Sequence, residues 1–160
     1  MLSRPLRDRA QLRPEVAAGV ILRRWDSDCQ AWLWLLLRNR RRGDWGMPKG
    51  HQEAAEDLRE CALRECAEET GIALLALEDP PFELVYTLPS GRPKRVVYFP
   101  AETAQDNVTL SPEHNQFAWL DQRGVRKRLS HETLIRIFNA HLAQLAQLAQ
   151  LHAADSLGAC

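Results

Sequence analysis

Two short apolar runs, Val16 to Arg23 and Ala31 to Arg38, are dense in Val, Ile, Leu and Trp and read as strands. Glu83 to Leu88, Arg95 to Pro100 and Phe117 to Leu120 have the same character. Between the second and third runs, the residues from Asp57 to Thr70 are mostly good helix formers with no proline and no glycine. Gly71 stands where that helix would stop in the left-handed conformation. Leu58, Ala62 and Cys66, each four residues apart, give the helix an apolar stripe suited to packing on a sheet. A second helix is expected after Ser130, a good N-cap residue, with Leu134, Phe138, Leu142 and Leu145 on its inner face. Strands, helix, strands, helix is the order of an α/β domain.

The same pattern bounds the domain. Leu142 to Leu151 repeats Leu-Ala-Gln three times, and a three-residue period drifts around a helix without holding one apolar face. The second helix should therefore outlast its contacts and leave leucines exposed, to pair with another chain or to fray. Residues 14–151 are expected to form one domain, residues 1–13 a flexible basic arm, and residues 152–160 a disordered tail. At 160 residues and 45% hydrophobic content the chain can bury one sizeable core, with no room for a second catalytic module.

Charge and cysteine usage narrow the classes further. Twenty-one basic residues balance 21 acidic ones, so broad coating of nucleic acid is excluded, although positive charge is dense at residues 38–42 and 92–95. The four cysteines, Cys29, Cys61, Cys66 and Cys160, form no CxxC pair and read as reduced thiols of a cytoplasmic protein. The longest apolar stretch, Ala31 to Leu37, is too short to span a bilayer, and the N-terminus lacks the apolar centre of a signal peptide. No membrane contact and no obligate protein partner are expected.

The chemistry is concentrated on the first helix. Glu65, Glu68 and Glu69 fall at i, i+3 and i+4, so three carboxylates leave one face within about 100 degrees. Like charges so placed oppose helix formation by a few tenths of a kcal/mol per pair in water, and by more when partly buried. Clustered carboxylate oxygens without histidine or thiolate partners suit a hard divalent ion, Mg2+ or Mn2+. Arg64 beside them can orient a carboxylate through its fork of donors. A plain solvated acidic face is the competing reading for any Glu-rich helix.

The full spacing decides between these. Gly50, Glu56, Arg64, Glu65, Glu68, Glu69 and Gly71, followed by aliphatic Ile72, match GX5EX7REUXEEXGU at every position, and the run resembles the signature of the Nudix hydrolases. Such a match arises by chance with a probability of roughly one in a million. The resemblance implies an α/β/α sandwich around a mixed β-sheet, and hydrolysis of a nucleoside diphosphate linked to a further group by water attack on phosphorus. It makes Glu65 and Glu69 direct metal ligands, often joined by the Gly50 carbonyl. Glu68 would bind metal through water or serve as general base. Arg64 would hold the glutamates by salt bridges as part of the catalytic set, and Glu56 would support the site less directly.

Flanking residues bear on the substrate. Pro48-Lys49-Gly50-His51 resembles the diadenosine tetraphosphate hydrolase branch, which yields ATP and AMP, and Lys49 and His51 would add donors along a polyphosphate. Tyr86 and the segment Gly91 to Phe99 are similar to the animal-type members, where a lysine after proline, here Lys94, touches phosphate and tyrosines, here Tyr86 and Tyr98, frame an adenine. Both tyrosines lie in strand-like runs, so core packing is equally open to them. Leu110 to Leu120 resembles a loop of that branch with a further glutamate. Glu113 would bind an additional metal or act as base in competition with Glu68, and His114 would face the phosphates. Cys66 replaces a usual Leu, Val or Ile, and the run Arg38-Asn39-Arg40-Arg41-Arg42 is a departure that suits either a solvated turn or attraction of a highly charged substrate. The expected partner is a small nucleotide; an RNA 5′ end is the alternative, and a nucleotide sensor without turnover is the rival from another class.

Overall fold

The computed structural model describes residues 13–158, so the arm over residues 1–12 and Cys160 lie outside the described residues. In chain order β1 (Glu15–Asp26), β2 (Ala31–Asn39), β3 (Trp45–Gly46) and β4 (Lys49–His51) precede α1 (Leu58–Thr70). Then come β5 (Ala76–Leu77), β6 (Phe82–Thr87), β7 (Pro93–Glu102), β8 (His114–Leu120), α2 (Gln122–Arg128) and α3 (Glu132–Leu157). The strands make one sheet ordered β3-β2-β1-β7-β5, with β4 also on β1, β6 on β7 and β8 on β2. β1 and β7 pair in parallel from Glu15 opposite Lys94 to Arg23 opposite Glu102, whereas β1 meets β2 and β4 antiparallel, so the sheet is mixed.

The alternation of side chains along the central strands builds two cores from one sheet. Ala17, Ile21, Leu36, Val96 and Tyr98 face Val125 and Leu129 and, on α3, Leu134, Ile137 and Phe138. Ala18, Val20, Leu22, Leu35, Val97 and Phe99 face Cys61, Ala62 and Cys66 on α1. Each fully buried Leu, Val, Ile or Phe contributes roughly 1.5–3 kcal/mol, so these two layers are the main hold on the α/β/α sandwich expected from the sequence.

Local chemistry fixes the ends of α1. Asp57 accepts from the Glu60 N–H at 2.8 Å while Glu60 accepts from the Asp57 N–H at 2.9 Å, a reciprocal capping box. Gly71 closes the helix at φ 72°, in the left-handed region that favours glycine. This rigid helix carries the acidic cluster.

α3 departs from its sequence reading at one end. Ser130 is not the N-cap; His131 is, without a side-chain bond, because the Ser130 hydroxyl accepts from the Trp45 N–H at 2.9 Å and ties β3 to the head of α3. Leu134 and Phe138 are buried and Leu142 and Leu145 pack at the edge of the core, joined by buried Ile137 and His141. Beyond them Leu148, Leu151 and Leu157 are exposed, and the helix continues through residues 152–157, within the segment read as tail. Among the described residues no helix is long and apolar enough to cross a membrane.

Candidate active site

α1 places its three glutamates in three different environments. Glu69 is 5% exposed, the Glu65 side chain 14% and the Glu68 side chain 59%. The Glu65 carboxylate lies against Gly50 so closely that a Cβ on residue 50 would overlap it. Glycine is therefore required there for contact with the helix, not for its φ. Below the same carbonyl, the Cys61 thiol donates to Gly50 O at 3.5 Å.

Arg64 ties the cluster to the segment before the helix. Its Nη2 and Nε donate to both Glu56 oxygens at 2.7 and 3.0 Å, its Nη1 to Glu65 at 2.8 Å and Glu68 at 3.2 Å, and Nη2 also to the His51 carbonyl at 2.8 Å. One guanidinium thus holds three carboxylates and the end of β4, which a lysine could not span. The Arg64 hydrogen bonds, aided by the Glu53 N–H, hold the Glu56 carboxyl down to about 2, and Glu56 in turn pushes the Arg64 guanidinium further up.

A cleft of about 710 Å3 opens beside the helix, within the roughly 300–1,000 Å3 usual for small-molecule sites. Lys49, Gly50, His51, Glu69, Tyr86, Lys94, Tyr98, Glu113 and His114 all line it, so residues far apart in the sequence meet in one cavity. Glu56, Arg64, Glu65 and Glu68 are not part of the lining. At the acidic end Glu69, Glu113 and His114 bring one ligand atom each within 4.8 Å of one another. The Lys49 N–H donates to Glu69 Oε2 at 3.2 Å, while His114 Nδ1 is buried with no partner among the described residues.

Electrostatics mark this end as short of positive charge. Burial pushes the Glu69 carboxyl up to about 8, and the charges of Glu65 and Glu113 push the same way against the Lys49 N–H. Burial also lowers His114, with Glu113 opposing. Carboxylate oxygens, a free imidazole nitrogen and an unrelieved negative charge together fit a divalent cation.

The same cleft is also lined by the basic side chains of Lys49, His51 and Lys94. Burial and then the neighbouring Lys94 charge lower the Lys49 ammonium below its usual range. Tyr86 is exposed across β6–β7 from Lys94, whereas Tyr98 is only 1% exposed and belongs to the core, its phenol pushed up by burial. Of the basic run, Arg42 reaches the rim and pairs with Asp44 at 3.2 Å, Arg40 donates to the Pro112 carbonyl at 2.9 Å, and Arg38 to Asn115 at 3.1 Å. Asn39 Oδ1 accepts from the N–H groups of Arg41 and Arg42, so the run is an ordered turn. Glu15, which contacts His51 and Lys94, is a site residue the sequence reading does not pick out. It precedes the first apolar run, and only the parallel β1–β7 register brings it to Lys94.

The NUDIX domain family matches residues 13–141, most of the chain. The chain belongs to the NUDIX family. It is similar to the bis(5′-nucleosyl)-tetraphosphatase [asymmetrical] of Caenorhabditis elegans, at 33% identity over 105 residues covering 62% of this chain and 76% of that protein. To the Rattus norvegicus protein of the same name it is 43% identical over 81 residues, 48% of this chain but only 54%, about half, of that relative's length. A crystal structure of a C. elegans Ap4A hydrolase binary complex superposes with a TM-score of 0.76 at 30% identity, covering 83% of this chain and 98% of that one. An RNA pyrophosphohydrolase of Dinoroseobacter shibae is 34% identical over 99 residues, 51% of this chain and 62% of that protein. The chain is a NUDIX hydrolase by fold, signature and relatives.

Proposed function

We propose that this hydrolase cleaves dinucleoside polyphosphates in a divalent-metal-dependent reaction, with diadenosine tetraphosphate split asymmetrically to ATP and AMP. The observation that carries this reading is the meeting of acidic, basic and aromatic side chains in one cleft. One cavity brings together the acidic group of Glu69 and Glu113 with His114, the basic side chains of Lys49, His51 and Lys94, and exposed Tyr86, which stands opposite Lys94 as a surface for a base. Carboxylates for a divalent cation beside basic groups for phosphates suit a polyphosphate substrate.

Glu65, Glu69 and the Gly50 carbonyl would hold Mg2+ or Mn2+, which when bound supplies charge stabilisation at the phosphate oxygens. The chain's own residues do the rest. Lys49, His51 and Lys94 bind and orient the phosphates, and Arg64 fixes the glutamates. Glu113 is preferred to Glu68 for taking the proton of the attacking water, because Glu113 lines the cleft beside Glu69 while the Glu68 side chain is 59% exposed and held by Arg64. The leaving nucleotide departs as its own phosphate, so no covalent nucleophile is needed. The free thiols Cys29, Cys61 and Cys66 support a cytoplasmic setting.

Removal of pyrophosphate from RNA 5′ ends is the second reading, favoured by the similarity to the D. shibae protein and by Arg42 at the rim. Product analysis separates the two. ATP plus AMP from diadenosine tetraphosphate with Mg2+, abolished by a chelator, is expected; pyrophosphate from 5′-triphosphorylated RNA with the dinucleotide untouched would replace this reading by the second.

A further inference from the structure

Two basic side chains of the cleft contact a carboxylate outside the signature. Glu15 opens β1, and the parallel register sets it opposite Lys94 on β7. On its other side β1 pairs with β4, where Ala17 stands opposite His51. Glu15 Oε1 therefore reaches both neighbours: it accepts a hydrogen bond from His51 Nε2 and lies 3.7 Å from Lys94 Nζ. Its side chain is 24% exposed and that of Lys94 10%, and the Arg92 charge also favours the ionised carboxylate. His51 and Lys94 line the cleft and Glu15 does not. Among the described residues neither the imidazole of His51 nor the ammonium of Lys94 has another side-chain partner.

Two effects of Glu15 on an incoming phosphate chain have opposite signs. Its charge repels the anion. Its contacts, however, hold two flexible side chains in place before the anion arrives, and a donor already ordered loses less rotamer freedom on binding. The carboxylate is not part of the cleft lining, and Lys94, Arg92 and Lys49 leave the region with excess positive charge, so ordering outweighs repulsion.

We propose that Glu15 is a positioning residue for polyphosphate, holding the Lys94 ammonium and the His51 imidazole side by side in the cleft. The inference rests on the polyphosphate reading of the cleft, but not on which nucleotide is cleaved.

Calorimetric titration of the metal-free full chain with inorganic tripolyphosphate tests it. Glu15→Ala should weaken binding about fivefold, the loss of preorganisation in two side chains. Glu15→Gln, which keeps an acceptor for His51, should weaken it less, and Glu15→Ala should add nothing in a His51→Ala/Lys94→Ala background. With diadenosine tetraphosphate, KM should rise in the same order while kcat moves within about twofold. Unchanged or tighter tripolyphosphate binding in Glu15→Ala overturns the assignment, as does a fivefold loss that persists without His51 and Lys94. Should Glu15→Ala not fold, unchanged or tighter binding by Glu15→Gln overturns it equally. Weakened tripolyphosphate binding in a protein that leaves diadenosine tetraphosphate intact would remove the substrate reading and leave the role of Glu15 standing.

Discussion

The carboxylate of Glu65 fills the space that a side chain on residue 50 would need. The glycine that opens the signature is thus demanded by a glutamate on α1. Gly50→Ala should push Glu65 aside and lower kcat about a hundredfold, since a shift of about 1 Å near the chemistry can cost that much. The overpacking should destabilise the fold by only about 1–3 kcal/mol. Steady-state kinetics beside a thermal melt checks both, and a variant with wild-type kcat would mean that this contact does not position the site.

Arg64 holds Glu56, Glu65, Glu68 and the His51 carbonyl through one planar fork. Arg64→Lys keeps the charge but has a single ammonium to place, so it should release at least one glutamate. The expected result is a kcat lower by about tenfold or more and weaker Mn2+ binding in a spectroscopic titration. Loss of KM alone, with kcat and Mn2+ affinity intact, would assign Arg64 to the substrate instead.

Glu69 makes stability and metal binding depend on pH. An ordinary carboxyl titrates near 4.5, and burial raises this one to about 8 in the folded, metal-free protein. Between those values the folded chain holds a proton that the unfolded chain has released. The contribution to stability is therefore full below about pH 4.5, falls as the pH rises, and is gone above about 8. Its size is on the order of a few kcal/mol. Glu69→Gln should flatten this slope in metal-free melts and abolish turnover while the fold stays intact. Binding of Mg2+ to the wild type at pH 7 should release close to one proton, measured by calorimetry in buffers of different ionisation enthalpy. No proton release would show that Glu69 is not a protonated ligand at this pH.

Legibility in the sequence follows the length of the signal. α1 is readable because its cap, its stripe and its carboxylates all repeat within one helix, and β1, β2 and β7 because apolar runs of that length have no other use. β3, β4 and β5 have two or three residues each, too few to show any period, and α2 is a short polar turn of helix. Spacing foretold that Glu65, Glu68 and Glu69 share a face, but not that one is buried, one wedged on Gly50 and one exposed, because that depends on how α1 tilts over β4. Glu15 could not be found at all from spacing; it belongs to the cleft only through strand register. Tyr98 was open to two readings from its strand, and its burial comes from α3 closing over that face.

A second titration, remote from the site, should govern the acid limit of the fold. His141 on α3 is buried between Trp34, Phe82 and Phe138, accepts the Trp34 indole N–H on Nε2 at 3.1 Å, and leaves Nδ1 without a partner. Burial, and then the Arg23 charge, pull it down from 6.5 to about 4. As the pH falls through that window the unfolded chain takes up a proton that the folded chain refuses, so stability is full above about 6.5, declines between 6.5 and 4, and levels off below. The expected loss is on the order of a few kcal/mol. His141→Gln keeps an acceptor for Trp34 and has no charge to gain, so its melting temperature should vary less between pH 6.5 and 4 than that of the wild type, even though a poorer fit lowers it at neutral pH. Parallel pH profiles for the two proteins would place the acid-sensitive group elsewhere.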